Sequence, residues 1–238
     1  MIKQLLMDEF RFLTFRRMSP AIRDHWKAFL VFGLTFTWLA GVGRYWDNPR
    51  AHVWQYLGLG SLAYVVVLAL IIWALVAPLR PRNWSYRNVL LFITLTAPPA
   101  MLYAIPVERF LTSGDAVVAN IAFLATVASW RVVLYALFLK RTAGLSLVSV
   151  IVCTLLPLTI IVVTLTALNL EHVVFKIMGG LRPDEQTAND GAYSVVVLLS
   201  LLSVMLAPVL LLAYAVLVYR ARYWANDSAG SSRRMGGD

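Results

Sequence analysis

Long apolar runs separated by short basic segments set the pattern of this chain. Six runs can be drawn: Trp26 to Arg44, Val53 to Ala77, Asn88 to Ile105, Ala116 to Leu139, Leu145 to Leu170 and Ala192 to Tyr219. Each has the roughly 20 residues that cross a hydrocarbon layer about 30 Å thick at 1.5 Å per residue. None alternates apolar and polar positions as a half-buried strand does, so the pattern predicts helices throughout. The expected fold is all-α: a polytopic integral membrane protein with a six-transmembrane-helix bundle over residues 26–220. The third run is the weakest of the six, because Pro98, Pro99 and Pro106 interrupt it.

The two ends follow different rules. Residues 1–25 carry Ile2, Leu6, Phe10 and Leu13 at helical spacing, with Lys3, Asp8, Glu9, Arg16 and Arg17 mostly elsewhere. This predicts a cytoplasmic amphipathic helix lying along the membrane surface. Asp8 and Glu9 do not suit the basic lead-in of a cleavable signal peptide, so none is expected. Ser19-Pro20 reads as an N-cap and a first-turn proline, from which a new helix runs into the first span. From Ala225 onward the chain lacks apolar residues for packing, and residues 221–238 are expected to form a disordered cytoplasmic tail. The polar loop Leu181 to Gly191 follows Gly179-Gly180, where a projecting fifth helix is expected to end.

Charge placement orients the bundle. If the six runs are crossings, fifteen of the 21 Lys and Arg residues fall on the face shared by both termini. Five fall on the other (Arg44, Arg50, Arg109, Lys176 and Arg182), and Arg131 lies inside a span. Short loops rich in Lys and Arg stay cytoplasmic, so both termini are expected there. Trp26, Trp84 and Trp224 at one boundary and Trp46 and Trp54 at the other fit an interfacial belt.

Composition narrows the class. Hydrophobic residues make up 60% of the 238 and charged residues only 14%, against about 25% in a soluble domain. The net charge of +9 follows from the loop asymmetry and implies contact with anionic lipid rather than nucleic acid. The lone Cys153 lies in a predicted span and allows no intramolecular disulfide. Seventeen Arg against four Lys, with heavy Ala, Leu and Val usage, suggests a GC-rich bacterium, and hence its inner membrane.

The candidate chemistry centres on Arg131. A guanidinium at mid-helix costs about 2.5–3.5 kcal/mol on insertion scales and needs partners within the bundle. No carboxylate lies within the six runs, so neutral acceptors are required. Proline leaves the carbonyl four residues earlier without its helical donor. Pro98 and Pro99 would bare Thr94 and Leu95, Pro157 would bare Cys153, and Pro208 would bare Val204. Thr94, Leu95 and Cys153 lie near the depth of Arg131, and Asn120 and Tyr135 share its helix face. The expectation is a buried polar staple joining spans three, four and five, or else an anion site in a cavity.

No catalytic or metal constellation is visible, and no cofactor is implied. His25, His52 and His172 are scattered, and Glu171-His172 lacks ligand spacing. Gly58, Gly60 and Ser61 read as a close helix contact rather than a phosphate loop. The expected role is therefore non-catalytic: a subunit, scaffold or assembly factor whose partners are membrane lipids and a protein or a second copy of itself. The alternative is a small permease or channel-like transporter with its site near Arg131. Ala-Pro followed by Tyr-Ala in both the third and sixth runs (APPAMLYA, APVLLLAYA) is a faint echo of the inverted repeats found in transporters.

Overall fold

The computed structural model describes residues 2–17, 19–46, 52–168 and 190–234. Among these every regular element is helical. In chain order they are α1 (Ile2–Leu13), α2 (Pro20–Asp24), α3 (Trp26–Gly43), α4 (Val53–Tyr56), α5 (Leu59–Val76), α6 (Tyr86–Leu95), α7 (Ser113–Arg141), α8 (Leu147–Ala167) and α9 (Asp190–Arg234). Short 3-10 segments occupy Ala77–Leu79, Pro98–Ala104 and Val107–Arg109. Glu171, His172, Gly179, Gly180 and nearly all of the polar loop fall outside the described residues, as do Arg50, Lys176 and Arg182.

Five helices are long and apolar enough to cross a membrane: Trp26–Gly43, Leu59–Leu79, Gly114–Arg141, Leu147–Ala167 and Leu198–Tyr223. The third expected run differs. Its α-helix, α6, is 10 residues long and ends before Pro98, and the chain continues as a seven-residue 3-10 segment. Two consecutive prolines remove the donors that the last turn of α6 would need, so the α-helix stops there. Single prolines have no such effect: α8 runs through Pro157, and α9 through Pro208. The backbone of α9 also continues past Tyr219 to Arg234, over the segment read from composition as a tail.

α3 is the central post, packed against α5, α6 and the 98–104 segment. Between helices in lipid the hydrophobic effect contributes little, so close packing of small residues has to hold them together. A Cβ on Gly33 would come within 2.7 Å of Thr94 in α6, and one on Gly41 within 2.5 Å of Ser61 in α5. Gly43 is as tight against Ala104. Gly58 adopts φ +65° just before α5, where a Cβ would also meet the Trp38 carbonyl at 2.9 Å. α9 packs chiefly on α8, with Thr166 and Ser200 sharing a hydrogen bond of 3.0 Å and the Tyr214 hydroxyl donating to Leu75 O at 2.6 Å. From Leu198 to Tyr223 the rest of α9 is largely exposed apolar surface, suited to acyl chains.

The basic segments gather at one end of the bundle. Arg82 N donates to Ala143 O at 2.9 Å, joining the loops that follow α5 and α7. Arg141 donates to Phe15 O, and Trp130 Nε1 donates to Leu13 O at 2.9 Å. α1 is thereby docked against α7 rather than lying free on a surface. Its buried stripe is Leu5, Asp8, Glu9, Phe12 and Leu13, spaced three and four apart, while Ile2, Leu6, Met7 and Phe10 face outward. Phe12 meets Phe92 edge-on at 5.9 Å, and Phe92 stacks on Phe138 at 4.2 Å. The sequence places the acidic pair on the polar, outward side. The fold turns it inward because Phe12 lies on the same stripe.

Candidate functional site

Arg131 stands near the middle of α7. The helix begins at Thr112, whose hydroxyl caps Asp115 N at 3.4 Å, and it closes on Lys140 and Arg141 where cations suit the helix dipole. Arg131 lies ten residues before Arg141, about 15 Å along the axis. Its Nε donates to the carbonyl of Thr96 at 3.0 Å. Thr96 is the residue that caps α6, two positions before the first of the two prolines. The guanidinium therefore meets the third run at its break, against the partly negative end of α6.

Local hydrogen bonding explains why Thr96 rather than Thr94 receives it. Ala97 N already occupies the Thr94 carbonyl at 3.1 Å, and Thr96 N turns back to Ile93 O at 3.1 Å. The Thr94 and Thr96 hydroxyls bond to Leu91 O and Ile93 O, at 3.0 and 2.7 Å, and tighten the last turn. Thr94 and Leu95 are sealed in the core beside the break. Sequence reasoning counted carbonyls four residues before each proline. A 3-10 continuation shifts the bare carbonyl toward the prolines, because its bonds span three residues instead of four.

The other expected members are dispersed. Cys153 is buried in α8, and no hydrogen bond joins Arg131 to α8 among the described residues. Tyr135, one turn beyond Arg131, packs its ring 6.1 Å from Phe92, and its hydroxyl is buried without a partner among the described residues. Asn120 is half-buried three turns toward the other end of α7. Pro157 and Pro208 lie within intact helices away from the break.

Beyond Arg131, toward the start of α7, lies a second packed cluster. Val127, one turn earlier on the same face of α7, is buried with Ala40 and Ala100, and Tyr103 packs against that cluster. Arg44, the C-cap of α3, sits with its Cζ 5.9 Å from the Tyr103 ring centre.

A second buried charge-bearing group stands on α1. Glu9 is 3% exposed and Asp8 2% exposed. Both Glu9 carboxyl oxygens and Oδ2 of Asp8 lack a hydrogen-bond partner among the described residues. The other Asp8 oxygen is 4.0 Å from Arg11. Burial alone pushes the Glu9 carboxyl up to about 8. No three His, Cys, Asp or Glu side chains converge into a metal-holding group among the described residues. Comparison with known proteins places the chain with none of them: no family model, no curated protein and no solved structure matches it.

Proposed function

We propose that the protein is a non-catalytic, polytopic membrane protein of a bacterial inner membrane, serving as a subunit, scaffold or assembly factor. The chain crosses the bilayer six times in this reading, with both termini cytoplasmic. The third crossing is completed by α6 and the 98–104 segment together. Ten residues at 1.5 Å and seven at about 2.0 Å reach roughly 29 Å, close to the hydrocarbon thickness. The gathering of the basic loops and α1 at one end supports this orientation.

The observation that carries the reading is the docked N-terminal helix. One stripe of α1 is packed by Phe12 and held by two backbone acceptors, while Ile2, Leu6, Met7 and Phe10 remain outward on the opposite side. A rigidly seated helix with an apolar outer face suits contact with a partner's helix or with lipid. Isolation from native membrane in mild detergent tests it. A defined protein should co-purify in fixed ratio with the wild-type chain and be lost from a Leu6→Asp/Phe10→Asp variant that keeps its thermal stability. Recovery of lipid alone, with both forms alike, contradicts the reading.

A second reading, a small permease, draws on the broken third span. Discontinuous helices with their ends near the midplane are a common construction of transporter sites. A charged group at the break adds to that likeness. Solute flux into proteoliposomes, absent in an Arg131→Met variant, distinguishes it from the scaffold.

A further inference from the structure

Near the basic end, Trp84 and Trp130 donate their indole N–H to backbone carbonyls, those of Trp73 and Leu13. Trp26 differs. Its ring packs on the core, but its Nε1 donates to nothing among the described residues. The same ring carries two cations, with Arg87 Cζ 5.1 Å and Lys27 Nζ 5.8 Å from its centre. Both cations are exposed, and neither makes an ion pair among the described residues, although Asp24 lies only three positions before Lys27.

Helix packing fixes this group. The contact of Gly33 with Thr94 pins α3 to α6, and both helices start at the basic end. Trp26 stands seven residues before Gly33, and Arg87 seven before Thr94. Two turns back from the contact, the indole and the guanidinium therefore arrive at one level. From Lys27 an outward stripe follows α3 through Val31, Thr35 and Trp38, at spacings of four, four and three. The Thr35 hydroxyl turns back to Val31 O at 2.8 Å, and the Trp38 N–H donates to Leu57 O at 2.9 Å, so the stripe has no unmet donor.

Two cations and a free N–H followed by an apolar stripe match a phospholipid, headgroup first and acyl chain after. A ring face attracts an exposed cation only weakly, and two cations on one ring repel each other, so a negative charge beside them is stabilising. Guanidinium, ammonium and indole N–H groups suit the oxygens of a phosphodiester. The net charge favours an anionic lipid over a zwitterionic one.

We propose that Trp26, Lys27 and Arg87 hold the headgroup of one anionic phospholipid at the basic end of the bundle, with an acyl chain along Val31, Thr35 and Trp38. The site rests on the reading that α3 crosses the bilayer, and it is independent of any protein partner on α1.

The test uses the full chain, delipidated in maltoside micelles, with phosphatidylglycerol or phosphatidylcholine added. Bound lipid is counted by native mass spectrometry and titrated by calorimetry. The expected result is one saturable phosphatidylglycerol per chain, held about tenfold more tightly than phosphatidylcholine. Lys27→Gln and Arg87→Gln should each weaken it about tenfold, and Trp26→Phe, which keeps a ring without the N–H, about threefold. Arg16→Gln/Arg17→Gln removes two exposed charges from the same end and should leave the affinity unchanged. Leu6→Asp/Phe10→Asp should also bind as the wild type does, which separates this site from the contact proposed on α1. Equal binding of the two lipids, an equal loss in the Arg16/Arg17 variant, or unchanged affinity in all three site variants overturns the proposal. Displacement of the lipid by a polyglutamate peptide at lower concentration overturns it in favour of an acidic protein segment.

Discussion

Arg131 and Glu9 are charge-bearing groups taken out of water by the same bundle, and the fold treats them in opposite ways. The guanidinium is half-buried and donates to a backbone carbonyl at 3.0 Å. The carboxyl is 3% exposed and has no hydrogen-bond partner among the described residues. The difference lies in what each group can do with a proton. An arginine keeps its charge at any accessible pH, so a fold that buries it must supply acceptors. A glutamic acid can take up a proton and lose its charge, so a fold can bury it with little more than apolar packing. Lipid-embedded structure therefore places strict geometric demands around Arg131 and loose ones around Glu9.

The largest expected effect is on pH dependence. With its folded-state pKa raised from 4.5 to about 8, Glu9 binds more protons in the docked state than when α1 is released. Its contribution to stability is complete below about 4.5, falls as pH rises from there, and is lost above about 8. Each pKa unit is worth about 1.4 kcal/mol, so the full change is on the order of several kcal/mol. Protease sensitivity of α1 in the wild-type chain should rise across this window. Glu9→Gln should remove most of the rise while leaving Arg131 untouched. Equal pH profiles for the two chains would break the comparison.

Arg131→Met is the complementary change. It strips Thr96 O of its donor while keeping a long apolar side chain, and should lower stability by about 1–3 kcal/mol, the usual consequence of orphaning a buried polar group. Unlike the Glu9 effect, this loss should be constant between pH 5 and pH 8 when followed by thermal unfolding. A smaller effect sharpens the role of α1. Trp130→Phe deletes the 2.9 Å bond to Leu13 O but keeps an aromatic ring near Phe15, and should cost about 0.5–1.5 kcal/mol. Hydrogen exchange at the end of α1 should quicken while α6 stays protected.

How much of the fold was legible depends on the physics of each segment. Runs as uniform as Leu59–Leu79 and Leu147–Ala167 announce themselves, because length and apolarity alone make a spanning helix. The third run was harder to read, since Pro98-Pro99 warns of a break but leaves the conformation beyond it open. The chain adopts a 3-10 segment there, which moves the available carbonyl to Thr96. Arg131 itself stood out in the sequence, and so did the need for backbone acceptors. Tyr103 and Arg44 carried no local pattern, because they meet only through the packing of α3 on the 98–104 segment. The sidedness of α1 misled for a different reason. Two overlapping stripes exist on that helix, and tertiary packing of Phe12 selected the one containing Asp8 and Glu9.

The most direct test of the claim that the break after α6 supplies the acceptor for Arg131 is a solid-state NMR distance in bilayers. The pair to measure is ¹⁵Nε of Arg131 and the ¹³C carbonyl of Thr96. The account predicts strong dipolar dephasing, as an N···O separation of 3.0 Å requires. Absence of dephasing, with the guanidinium signal in contact with bulk water, would contradict it.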